Sequence, residues 1–480
     1  MRKILWVPLL LGLTALIGAC GGDSNSSDGS EPDEGSGTPN RYYFRLVHAL
    51  PDGPPLFLQD DGVSITGGID YHGASVVDSR ALGGTSDSIE FTVDGRGPDQ
   101  EVIPDILASE VTIEGNTEYT FVATGQYDAP ALLAVPNPRR DRPLDGLFFQ
   151  FVHAASSAGT VDVYVTSPDV ALSATAPVAR LAPGEFTESL PLAYQNQRVR
   201  LASPGTLDVV FDSGRLDFAD DPNRDDDGIE WLIVVADSLL PGSSPVKLIA
   251  ADNRGTRQIL QAGAAAGLRA FHASRVFPDV DVVVGDGFEA PLAQGLQFRQ
   301  RSSQVAVPAG RVSINVTPAG DPSTFFFEDT ISTSPGASYQ LFLAESDDGS
   351  PASFRLGGEP RSVSTESWLR FVNAAAESDF FSVYIGETAD DPPNEDDRRI
   401  RDLRYGEFVD YLRLAPGTYE VTLTERFYQA EDDPADAEET ITIGPFAFEA
   451  LPGGVKTLVI LPPTTEGGPE TLEVFDDLAP

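Results

Sequence analysis

One cysteine, one methionine and four histidines occur in 480 residues, and 32 Lys+Arg stand against 74 Asp+Glu, a formal net charge of −42. A lone cysteine excludes a disulfide framework, so any core must form by apolar burial alone. The shortage of bases excludes a nucleic-acid partner, because phosphates need a basic surface. It also excludes direct electrostatic docking on anionic lipid. Only Lys3, Lys247 and Lys456 are lysines; an acid-rich, lysine-poor surface suits a saline or calcium-rich exterior, where screening relieves self-repulsion. Enzyme templates are missing as well: the chain has no Gly-x-Ser-x-Gly elbow, no phosphate-binding Gly-Lys-Ser/Thr loop and no His-Glu-x-x-His. Carboxylates abound, but no pair suited to glycoside hydrolysis stands out from the rest. The expectation is a protein without catalytic residues or an organic cofactor.

Hydrophobic residues nevertheless make up 41% of the chain, enough to build cores. At the N-terminus, Arg2 and Lys3 precede an apolar run from Ile4 to Ile17, closed by the small residues of Ile17-Gly18-Ala19-Cys20. Pro8 and Gly12 interrupt the run, which is too short to span a bilayer. It reads as a signal peptide over residues 1–19. Its end resembles the lipobox of bacterial lipoproteins, whose cysteine thiol receives diacylglycerol and becomes the mature N-terminus. That resemblance implies lipidation of Cys20, which would also resolve the oddity of an unpaired thiol in an exported chain. By the sorting rule of enterobacterial lipoproteins, Gly21 in place of aspartate implies the outer membrane. The expected partner is therefore the membrane, through an N-terminal lipid. Residues 21–40, GGDSNSSDGSEPDEGSGTPN, carry no large apolar side chain and read with Cys20 as a disordered tether.

The remainder repeats itself. Phe44-Arg-Leu-Val-His48-Ala, Phe149-Gln-Phe-Val-His153-Ala, Leu268-Arg-Ala-Phe-His272-Ala and Leu369-Arg-Phe-Val-Asn373-Ala open four units at intervals of roughly 100–120 residues. Alternating strands follow, as in Val161-Asp-Val-Tyr-Val165, Val280-Asp-Val-Val-Val284 and Phe381-Ser-Val-Tyr-Ile385, with a less regular Pro55-Leu-Phe-Leu-Gln59 in the first unit. A turn and a second alternating strand come later: Ala415-Pro-Gly to Leu423, Pro308-Ala-Gly to Val316 and Ser203-Pro-Gly to Phe211, against Ile89 to Val93 in the first unit. Pro-Gly suits a type II turn. Tyr119 to Ala123, Trp231 to Val235, Tyr339 to Leu343 and Lys456 to Ile460 close the units. Short strands between Gly, Pro and Asp clusters describe an all-β chain of four tandem antiparallel β-sandwiches, immunoglobulin-like or transthyretin-like. Their expected extents are 41–138, 146–255, 267–362 and 366–480, with one short helix or helical linker within residues 253–267.

The opening hydrophobic-Val-His-Ala, the Val-Asp-Val-Tyr-Val strand and the Pro-Ala-Gly or Ala-Pro-Gly turn resemble domain-of-unknown-function family 4397. Those domains recur in tandem in secreted and surface proteins of bacteria and archaea. The resemblance implies a β-sandwich repeat and carries no established activity.

His48, His153 and His272 hold one place in their repeats, and Asn373 holds it in the fourth. Asparagine is neither a general base nor a good zinc ligand, so a core-ending polar group bonded to backbone accounts for all four. His72 has no evident counterpart and reads as a loop residue. Asn223, Asp225 and Asp227, followed by Gly228, match the first half of a calcium loop and are the candidate metal ligands. Val234 stands where the loop needs a bidentate glutamate, and a solvated acidic turn is the favoured reading. The acidic runs 390–397 and 431–436 lack ligand spacing and read as hairpin tips. The expected function is a non-catalytic cell-envelope lipoprotein, a structural or adhesive array with an envelope protein or glycan as partner. The alternative is a glycan-binding module array, with Tyr194, Tyr405 or Trp368 as stacking platforms.

Overall fold

Period-two sequence becomes strand throughout the computed structural model, which describes residues 40–480 except 141–145, 194–195, 218–228, 240–243, 253–254, 286–290, 347–348, 377–379, 388–393, 427–438, 466–467 and 479–480. Each repeat forms a sandwich with eight strands in common. One sheet takes them in the order fourth-first-seventh-eighth, the other third-second-fifth-sixth. The opening strands are Arg41–His48, Leu147–His153, Ala266–His272 and Ser367–Asn373; the seventh strands are Thr117–Gln126, Ile229–Asp237, Ser338–Glu345 and Val455–Leu461. In all four sandwiches these two strands pair in parallel, the one departure from an antiparallel ladder. Alternate side chains fill the space between the sheets. In the second sandwich Phe149 and Phe151 meet Val163, Val199, Leu201 and Phe211, all fully buried.

Two sequence expectations change. Residues 256–259 are not helical: Thr256–Ile259 pairs antiparallel with the eighth strand Val246–Ala251 as a fifth strand of its sheet and buries Ile259. In the second sandwich the Ser203-Pro-Gly turn follows the fifth strand, Arg198–Ala202, instead of preceding it. Thr206 N–H donates to the Ser203 carbonyl at 3.0 Å with Gly205 at φ +72°, a type II turn leading into Val209–Asp212. Val199 and Leu201 supply the core-facing alternation there, with arginines 198 and 200 on the opposite face.

The outer face of the first-strand sheets is not left to solvent. Val47, Ala49, Val122 and Val135 of the first sandwich pack against Val152, Leu232, Val234 and Ile249 of the second, all fully buried. Phe271, Phe342 and Leu356 of the third meet Val372, Val459 and Phe475 of the fourth in the same way. Burying such a side chain contributes roughly 1.5–3 kcal/mol, so the sandwiches are joined by apolar cores of their own as well as by connecting peptide. The family of opening segments explains the symmetry of these contacts. The residue three before each His or Asn reaches the eighth-strand end of the partner sandwich: Arg45 to the Asp252 carbonyl at 3.0 Å, Gln150 to Pro136 at 3.1 Å, Arg269 to Asp477 at 3.2 Å and Arg370 to Gly357 at 3.5 Å. The sandwiches therefore pair, first with second and third with fourth.

Candidate functional site

The repeated His/Asn position closes the opening strand, where alternation sends its side chain into the core, fully buried in all four sandwiches. His48 Nε2 bonds the Pro54 carbonyl at 2.9 Å, His153 Nε2 that of Gly159 at 2.9 Å and His272 Nε2 that of Pro278 at 3.1 Å, each six residues onward. Asn373 donates through Nδ2 to the Leu403 carbonyl at 3.2 Å and accepts from Ala375 N–H at 2.9 Å. The four groups pin the loop between first and second strands or the edge beside it. Burial pulls the imidazoles below their ordinary range, that of His48 to about 3 with the Arg361 guanidinium adding to the effect. A neutral ring with a carbonyl partner is a poor proton shuttle at ordinary pH.

A second repeated device faces it and lacks an obvious sequence signal. The backbone of each His or Asn exchanges hydrogen bonds with a tight turn: residues 72, 184, 299 and 406 donate N–H to its carbonyl, and its own N–H donates to the residue that follows. All four turn residues have positive φ: His72 +67°, Gly184 +86°, Arg299 +69° and Gly406 +71°. His72 thus has counterparts in every repeat, contrary to the sequence reading. Their equivalence is one of backbone conformation, while only the Gly-Glu-Phe strings at 184–186 and 406–408 share residues. Glu185, Gln300 and Glu407 cap their own turns, accepting from the N–H groups of Ala182, Gln297 and Arg404.

A polar cluster lies where the first sandwich meets both the second and the peptide joining third to fourth. The Tyr71 ring sits 3.5 Å from that of His72, and its hydroxyl donates to the Asp237 carbonyl at 3.0 Å. Lys247 is buried nearby, its ammonium 6.0 Å over Tyr71 and 2.7 Å from Gln258 Oε1; burial lowers its pKa to about 8. Arg361, 7% exposed, donates to the carbonyls of Pro51 at 3.1 Å and Gly53 at 2.8 Å and to the Asp70 carboxylate at 2.8 Å. Tyr71, Lys247 and Arg361 each bond an acceptor within the chain, an arrangement suited to holding parts together.

Cys20, Asn223, Asp225, Asp227, Tyr194 and the 431–436 run lie outside the described residues. Among the described residues no group of three or more His, Cys, Asp or Glu is placed to hold a metal ion, and no helix is long and apolar enough to cross a membrane. Of the 390–397 run, Asn394 caps a short 3₁₀ turn, Glu395–Asp397. The two other proposed stacking platforms are half-buried and engaged. Trp368 donates to Glu366 Oε1 at 2.6 Å and lies beside Tyr411, while the Tyr405 hydroxyl donates to the Glu345 carbonyl in the third sandwich. A cavity of about 20 Å³ between third and fourth sandwiches, lined by Arg269, Gln340, Arg370 and Asp477, has room for one water-sized species.

A family model described as a domain of unknown function (DUF4397) matches residues 42–164 and 266–384. Both matches begin on the opening strand of the first sandwich in a pair and end on the second strand of its partner, at Tyr164 and Tyr384. No curated protein matches. Among solved structures the chain is similar to the Bacillus anthracis TIE protein at 9% identity, over 89% of this chain and 69% of that one, with a TM-score of 0.16.

Proposed function

This chain belongs to the DUF4397 family, and from that premise we propose that it is a non-catalytic lipoprotein of the bacterial cell envelope. Cys20 carries the lipid in the outer membrane, residues 21–40 form the tether, and the paired sandwiches form a structural or adhesive array. The observation that carries this reading is the fate of the repeated polar groups. His48, His153, His272 and Asn373 bond backbone within their own sandwiches, and Arg45, Gln150, Arg269 and Arg370 bond across the pairs, so the repeat's recurring chemistry maintains architecture. The half-buried, bonded states of Trp368 and Tyr405 weigh against glycan stacking on those rings.

Membrane fractionation of wild type and Cys20→Ser tests the anchor. The variant should move into soluble fractions, and its remaining with membranes to the wild-type extent would sink the lipid assignment. The released array can then be passed over envelope glycans and envelope proteins. Saturable retention by a glycan alone would favour the module-array alternative.

A further inference from the structure

We propose that residues 361–366, the peptide joining the third and fourth sandwiches, act as a strap that fastens the second sandwich pair to the first sandwich, with Arg361 as its releasable lock. Joining two neighbours in one pair requires no contact with a third sandwich. This peptide nevertheless places Arg361, Val363 and Glu366 in buried positions, at 7%, 1% and 1% exposure.

Arg361 enters a socket built by the first sandwich. The loop between its first and second strands turns two carbonyls, Pro51 and Gly53, towards one guanidinium nitrogen, and Asp70 takes the other. Tyr71 and Trp368 flank the cation, their ring centroids 5.3 and 5.6 Å from its central carbon. A planar fork between aromatic faces with three acceptors is a site that arginine fills and lysine does not. Three residues on, Ser364 lies along Asp52: its N–H donates to the Asp52 carbonyl at 2.8 Å and its hydroxyl to the carboxylate at 3.0 Å. The strap's other end is held in the fourth sandwich. Glu366 accepts from Arg413 Nε at 2.8 Å, and Arg413 also donates to the Arg96 carbonyl of the first sandwich at 3.0 Å.

The lock is releasable because its contacts are polar and partly open to water. The Asp70 side chain is 69% exposed, so salt screens that ion pair. The interfaces within the pairs also hold polar bonds but rest on buried apolar clusters, which salt does not screen. With the strap open, each pair stays intact while the two become free to move about residues 260–265.

Two measurements on the full chain test this. In a Cys20→Ser background, Asp52→Cys with Ser364→Cys should oxidise to an intramolecular disulfide that reduction reverses. Failure to form it under mild oxidation would overturn the strap. Separately, Arg361→Ala and Arg361→Lys should each raise the radius of gyration in small-angle scattering by roughly a fifth, the change expected when one body becomes two. Both should also shift Trp368 emission to the red and open residues 260–265 to protease. Dimensions and emission equal to wild type in both variants would overturn the role of Arg361. Should Arg361→Ala not fold, Asp70→Asn carries the same expectation in milder form: the closed dimensions give way at lower salt than in wild type, and an unchanged salt response would count against the lock.

Discussion

An amide at 373 and an imidazole at 48, 153 and 272 meet one structural demand: a buried polar group at the end of the opening strand that bonds backbone. His153→Asn should therefore fold with little loss, whereas His153→Leu should cost about 1–3 kcal/mol by leaving the Gly159 carbonyl unpaired; denaturant titration of the two variants checks it. The pH dependence follows from the neutral state. His48 has its pKa pulled from 6.5 to about 3, so between those values the unfolded chain binds the extra proton. Its contribution is complete above pH 6.5 and is lost progressively as pH falls towards 3. His48→Asn should show a shallower fall in melting temperature from pH 7 to pH 4 than wild type, and parallel curves would contradict this. The structural role of the histidines was legible because Asn373 breaks any catalytic pattern. The turn at His72 was not: its counterparts Gly184, Arg299 and Gly406 share φ and share little sequence.

That turn belongs to the scale of elements. At Gly184 and Gly406 an added Cβ would meet nothing within 4 Å, yet φ is +86° and +71°. Gly184→Ala and Gly406→Ala should each cost about 1 kcal/mol through backbone strain alone. A thermal melt of either variant equal to wild type would show that the turn relaxes. Strands were legible wherever alternation was strict, as in Val280–Val284 and in Tyr419, Val421 and Leu423. Two kinds of signal misled. Pro-Gly marks a turn without saying which strands it joins, so the second unit was read one strand out of step. Thr256–Ile259 has only Ile259 to bury, and a strand added at a sheet edge takes its stability from the ladder more than from its own pattern.

For the whole molecule, the unit of stability is the pair, since the first sandwich completes an apolar core with the second. Val122→Asp, in the first sandwich, would bury an unpaired carboxylate against Leu232 and Val234. In a chain lacking residues 1–20 it should lower the unfolding transition reported by Trp231, in the second sandwich, and leave the hydrogen-exchange protection of Ser338–Glu345, in the third, nearly in place. Equal losses in both sandwiches, or none, would deny that pairs unfold as units. The pairing could have been suspected from Val152 and Leu232, apolar residues on faces that alternation assigns to solvent. Which sandwich covers which could not, because the four opening segments are nearly interchangeable.

The parallel pairing of first and seventh strands sets a constraint on synthesis. Phe44 meets Tyr119, and Leu369 meets Lys456, roughly 75–90 residues later in the chain. A nascent sandwich cannot seat its opening strand until nearly the whole repeat has been made, and loop closure over that distance favours slow, late completion. Until then the opening strand has along its ladder edges the turn at His72 and its short antiparallel partner, Asp78–Ala81 in the first repeat. A ribosome would thus release each repeat as a loosely ordered chain that closes near its end, and an odd-numbered sandwich would wait longer still, with its apolar flank bare, for its successor to arrive.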